Sequence, residues 1–110
     1  MGEVAQAILE QLGGQGFLFM IGAKDLSGSA FGMSVKFKAK AKDGINCLVV
    51  TLRADDTYDM TFSRHRTYKG APTGTVIKTY SEVYCDQLAE LFRDTTGLET
   101  RMPRFASGVR

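Results

Sequence analysis

The chain has 110 residues and a mass of 12.1 kDa, with 44% hydrophobic residues, 24% charged residues and a formal net charge of +2. That length predicts one domain with one core, and the composition excludes a disordered or fibrous chain. So slight a positive excess does not by itself point to nucleic acid, which leaves the decision to how the charges are distributed.

From the N-terminus, residues 3–12 place Val4, Ala5, Ile8, Leu9 and Leu12 on one side at helical spacing, and Gly13-Gly14 can supply a left-handed cap, so a first helix is predicted. The apolar run Phe17-Leu18-Phe19-Met20-Ile21, between Gly16 and Gly22, reads as a short buried strand. From Phe31 the pattern alternates: Phe31, Met33, Val35 and Phe37 face one way, and Ser34, Lys36, Lys38 and Lys40 the other. Asp43-Gly44 is a hairpin signal and residues 45–53 the next strand, with Leu48, Val50 and Leu52 inward. A turn at Ala54-Asp55-Asp56-Thr57 leads to a strand in which Tyr58, Met60 and Phe62 alternate with polar residues.

Residues 64–74, with Gly70, Pro72 and Gly74, read as a mobile loop before a short strand over 75–78. Thr79-Tyr80-Ser81-Glu82 fits a capping box that opens a second helix with Tyr84, Leu88, Leu91 and Phe92 as its apolar stripe. Gly97 is placed to cap that helix, with Leu98 folding back onto it. Residues 101–110 are basic and aperiodic, which predicts a flexible tail. The expected architecture is one α+β domain over residues 1–100. It has an N-terminal helix, a four- to five-stranded, mainly antiparallel meander sheet, and a C-terminal helix packed on the sheet.

Cys47 and Cys85 stand far apart with no CxxC, which argues against a disulfide framework or a zinc site and favours a reducing cytoplasm. The N-terminus carries Glu3 where a signal peptide needs basic residues, and the longest apolar run is too short to span a membrane. His65 is the only histidine and lies between Arg64 and Arg66, so it reads as an exposed loop residue. The mid-strand and mid-helix cysteines read as small buried hydrophobes. Asp55, Asp56 and Asp59 could gather round a divalent cation, yet aspartates of this kind ordinarily build a turn. Gly13-Gly14-Gln15-Gly16 follows a helix and precedes a strand, the reverse of a phosphate loop. No catalytic residue, metal site or cofactor is predicted.

Charge pattern carries more. Lys36, Lys38 and Lys40 recur at every second residue, so a strand projects them from one face, and Lys42 extends the row. With Arg64, Arg66 and Lys69 in the following loop they could track a phosphate backbone. On the second helix, Glu82, Asp86, Glu90 and Asp94 fall four apart, and like charges at that spacing repel slightly, so an acidic docking face is the competing expectation.

The segments Ile8-Leu9-Glu10-Gln11-Leu12-Gly13-Gly14, Gly22-Ala23-Lys24, the block from Gly44-Ile45-Asn46 to Phe62 with Asp56-Thr57-Tyr58-Asp59-Met60, and Val83-Tyr84 through Thr96-Gly97-Leu98 carry a resemblance. Together they resemble a family of small, mostly uncharacterised proteins carried by phages and related mobile elements. The resemblance spans nearly the whole chain, and the basic ending departs from the family's shorter ones. It implies a genomic setting and no activity. A double-stranded-RNA-binding domain shares the helix–sheet–helix order, but its second helix should begin with lysines where Glu82 and Asp86 stand. The leading expectation is a non-catalytic binding module whose basic sheet face and loop contact nucleic acid. The alternative is an inhibitor of a host protein, such as an anti-CRISPR acting on a defence nuclease complex, docking through the acidic helix.

Overall fold

The computed structural model describes residues 2–100, so the basic segment 101–110, expected as a flexible tail, lies outside the described residues. Helix α1 (Glu3–Leu12) buries Ala5, Ile8, Leu9 and Leu12, the stripe its periodicity predicts. It stops at Gly13, whose φ of 130° suits glycine, and a Cβ there would lie 2.6 Å from the carbonyl oxygen of Thr100.

The apolar run predicted as a strand is instead helix α2 (Gly14–Ile21). A continuous run has no period to separate helix from strand, and here only Phe17 and Ile21, four apart, are fully buried, while Phe19 is 72% exposed. Gly22, in the left-handed conformation at φ 63°, ends the helix.

Five strands follow in one antiparallel meander, β1 (Ala23–Gly28), β2 (Gly32–Phe37), β3 (Cys47–Leu52), β4 (Tyr58–Tyr68) and β5 (Ala71–Val83), in spatial order of sequence. β1 was not expected, because an edge strand whose only partly buried apolar residues are Ala23 and Leu26 shows no hydrophobic alternation. Phe31, expected inward, precedes β2 and is 68% exposed. Gly32 begins that strand because a Cβ there would overlap the carbonyl oxygen of Val50.

β2 ends at Phe37, and this removes Lys38 and Lys40 from the expected strand. The amides of Lys38 and Ala39 donate to the carbonyl of Ile21 at 3.2 and 3.0 Å, and Lys38 also to that of Gly22 at 3.0 Å. The C-terminal carbonyls of α2 thus gain donors they would otherwise lack. The chain then returns to β3 through a short 3-10 turn (Lys42–Gly44) in place of the expected two-residue hairpin.

Residues 64–74, expected as a loop, are strand, turn and strand. Lys69 and Gly70 both have positive φ, 51° and 83°, as a tight type I′ hairpin requires. Lysine is not a usual residue at that position, which hid the turn. β5 also runs through the expected capping box to Val83, with bulges where Ile77 and the Ser81-Glu82 pair lack single partners on β4. Glu82 sits in one of them at φ 56°. The last helix, α3 (Leu88–Thr96), starts later, after a 3-10 turn (Cys85–Gln87) in which the Tyr84 amide donates to Gln87 Oε1 at 3.0 Å. Gly97 caps it at φ 77°, and Leu98 is half-buried against the core, as predicted.

The inward rows Met33, Val50, Met60 and Val35, Leu48, Phe62 meet the helices. Phe92 of α3 sits at the junction, its ring centroid 5.0 Å from Phe17, 5.8 Å from Phe37 and 6.1 Å from Phe62. No helix of the described residues is long and apolar enough to cross a membrane. We expect Phe92→Ala to cost about 3–5 kcal/mol of folding stability in urea unfolding, since three elements lose one shared partner. A loss no greater than that of an ordinary surface substitution would contradict this placement.

The turn after β3 is organised by Asp55, which accepts from the Thr57 hydroxyl at 2.6 Å and the Thr57 amide at 3.2 Å. These bonds, the hydroxyl first, hold the Asp55 carboxyl below the ordinary carboxylate range, with nearby Arg53 adding a smaller pull. A depressed folded value contributes stability that is present above the unfolded pKa of about 3.9 and is lost as pH falls through the folded one. We expect Thr57→Val to raise the Asp55 titration midpoint measured by carboxyl NMR, and an unmoved midpoint would exclude the hydroxyl as its cause.

Candidate nucleic-acid interface

The sheet is three strands deep beside β4 only as far as Ser63, which pairs with Cys47. Beyond it β4 and β5 continue alone through five pairs, Arg64 with Thr75, His65 with Gly74, Arg66 with Thr73, Thr67 with Pro72 and Tyr68 with Ala71. At about 3.4 Å per residue this two-stranded arm extends roughly 17 Å from the sheet. It contributes to a molecule measuring 51 × 37 × 24 Å.

Isolated two-stranded ribbons are marginal in water, so the arm needs support at its root. Asn46 supplies it: its Nδ2 donates to the His65 carbonyl and its Oδ1 accepts from the His65 amide, both at 2.8 Å. One side-chain amide thereby does for His65 what a further residue of β3 would have done. The His65 ring lies over Gly74, where a Cβ would come within 3.0 Å of Cε1, and its Nε2 is 3.0 Å from Ser63 Oγ. Arg64 reaches back to donate to the Asp43 carbonyl at 3.3 Å. Gly44 leaves room for this, since a Cβ there would lie 2.9 Å from Arg64 Cδ and 3.1 Å from Arg66 Nη2.

Around this root the cations converge. A cleft of about 520 Å³ is bordered by Lys24, Lys38, Lys40, Gly44 and Arg66, and an adjoining one of about 200 Å³ by Lys24, Lys36, Asn46, His65, Arg66 and Pro72. Neither is lined by an aspartate or glutamate. Among the described residues, none of Lys24, Lys36, Lys38, Lys40, Arg64 and Arg66 is within ion-pair distance of a carboxylate. Of these, Lys24, Lys36, Lys38, Lys40 and Arg66 are exposed, a state favourable to an anionic ligand.

The residues expected to form a lysine row are thus gathered, though by a different route. Only Lys36 is on the strand, while Lys38 and Lys40 reach the cleft from the β2–β3 connection. Lys42 does not extend the row, because its Nζ donates to the Asp94 carbonyl at the end of α3 at 3.4 Å. Lys69 stands at the tip of the arm. Lys24, which sequence reasoning missed, lines both clefts; only recognition of β1 could have placed it there.

The acidic residues are dispersed. Glu82 is in the β5 bulge and Asp86 in the 3-10 turn, leaving Glu90 and Asp94 on α3, so the expected four-carboxylate helical row does not form. Asp59 bonds Arg53 at 3.1 Å and raises its pKa, while Asp55 is engaged by Thr57. Among the described residues no group of three or more histidine, cysteine, aspartate or glutamate side chains is arranged to hold a metal ion. Cys47 is buried as expected, whereas Cys85 is exposed in the 3-10 turn instead of lying inside a helix. Ser63 and His65 form a pair, but among the described residues no carboxylate bonds the other ring nitrogen to orient it for nucleophilic catalysis.

No family model, curated protein or solved structure matches this chain. If Asn46 secures the arm, Asn46→Ala should lower stability by about 1–2 kcal/mol and speed amide exchange at His65 and along the arm more than in β2 and β3. Asn46→Asp, which keeps the acceptor for the His65 amide, should lie between the two. Equal exchange in all three proteins would exclude the anchoring role.

Proposed function

We propose that this protein is a non-catalytic binding module that contacts nucleic acid through the β4–β5 arm and the basic clefts at its root. The observation that carries this reading is the convergence of Lys24, Lys36, Lys38, Lys40 and Arg66 on two adjoining clefts lined by no carboxylate. Cations on three separate segments, β1, the end of β2 with its connection, and the arm, would meet a phosphate chain together and release its condensed counterions on binding. The setting we propose, a phage or related mobile element, rests on the sequence resemblance alone. The competing reading, inhibition of a host protein through an acidic helix, loses the continuous row of Glu82, Asp86, Glu90 and Asp94 on which it stood.

Fluorescence anisotropy with labelled DNA and RNA at several salt concentrations tests the proposal. Binding should weaken steeply with salt, and Lys36→Ala and Lys38→Ala should each reduce the slope of log affinity against log salt by about one. Lys42→Ala, away from the clefts, should leave the slope unchanged. Absence of any salt-sensitive binding would overturn the reading.

A further inference from the structure

Resting on that reading, we infer that the nucleic acid is a B-form DNA duplex and that the arm enters its major groove while the basic clefts hold the flanking phosphates. The first ground is shape. Two antiparallel strands lie about 4.8 Å apart, and the B-DNA major groove, about 12 Å wide and 8.5 Å deep, admits such a ribbon, whereas the minor groove, at about 6 Å, does not without distortion. The arm is long enough to use that depth. Its five cross-strand pairs form a regular ladder closed by a tight turn and anchored at Asn46, so it requires little ordering on binding.

The second ground is the chemistry of its faces. Directly paired residues share a face, so Arg64, Arg66, Thr73 and Thr75 stand together on one side. Arg66, Thr73 and Thr75 are exposed, and the Thr73 hydroxyl bonds the Arg66 carbonyl at 3.1 Å, which ties the strand carrying that guanidinium to its neighbour. Guanidinium and hydroxyl groups are the donors that meet guanine O6 and N7 at the floor of the major groove. Arg64 is half-buried and directed to the Asp43 carbonyl, whereas Arg66 is exposed where the arm leaves the clefts, its Nη2 near Gly44, so it is the guanidinium able to swing from the clefts to a base edge.

The third ground is helical form: the A-form major groove of duplex RNA is too narrow and deep for the ribbon.

The test uses one sequence as a DNA duplex about two helical turns long, as its single strands, and as duplex RNA, with affinities read by anisotropy. The DNA duplex should bind at least roughly tenfold more tightly than the RNA duplex and the single strands, and Arg66→Ala should weaken it by about tenfold. Dimethyl sulfate footprinting should show protection of guanine N7, which lies in the major groove. A shortened arm lacking Arg66, Thr67, Pro72 and Thr73 removes two complete pairs and keeps the turn; it should lose that protection. If it fails to fold by circular dichroism, loss of N7 protection in Arg66→Ala decides the point. Equal or tighter binding of single strands or duplex RNA, or protection confined to adenine N3 in the minor groove, overturns this inference and leaves the nucleic-acid reading standing. No binding to any of the probes overturns both.

Discussion

The capture of the Lys38 and Ala39 amides by the carbonyls at the end of α2 is the constraint that shapes the basic end of the molecule. A helix C-terminus packed against a sheet leaves acceptors needing partners, and here a strand gives up its continuation to supply them. Once β2 is diverted, Lys38 and Lys40 leave the sheet surface and border a cleft. Asn46 precedes β3, its backbone bonded to Phe37 and Ser63 of the neighbouring strands, and its side chain clasps His65. The hydrogen bonds at one helix terminus thus border the cleft, and the backbone bonds of Asn46 set the anchor of the arm beside it.

The opposite side of the domain is governed by packing. Phe92 touches the ring of a residue from α2, from β2 and from β4, so α3 locks the helical layer to the sheet although it spans only nine residues. Edge-to-face aromatic pairs add to the area they bury, typically by about 0.5–1.5 kcal/mol each. The basic clefts and the core are thereby separated in space: the core residues that hold the layers together are not those that line the clefts, apart from Phe37 and Ile45, which line the larger one.

What the sequence revealed depended on whether a segment had a period. α1, the alternation from Met33 to Phe37, the inward residues of β3 and β4, and the glycine cap after α3 were all legible, because burial of one face writes itself into residue spacing. Three errors share the opposite cause. The apolar run in α2 is uniform, β1 is polar on an open edge, and the arm has no core beneath it to impose alternation. The type I′ turn at Lys69-Gly70 lacked its usual asparagine or aspartate, and the Thr79 to Glu82 capping pattern was overridden by pairing with β4. The same distinction decided which charged residues end near one another. Lys36, Lys38, Lys40 and Arg66 converge because lysines at alternate positions beside a diverted strand still end near one another, whereas the acidic row required an unbroken helix.

β5 is thirteen residues long and lies at the edge of the sheet, where unpaired amides and carbonyls invite another strand to add. Pro72 has no amide to offer, the extra residue at Ile77 breaks the flatness of the edge, and Glu82 turns it again with a charge at the bend. No long, regular stretch of open backbone remains. The irregularities that concealed this strand in the sequence also protect the protein from stacking edge to edge into fibres, which lets a long arm project into solvent without becoming a seed for aggregation.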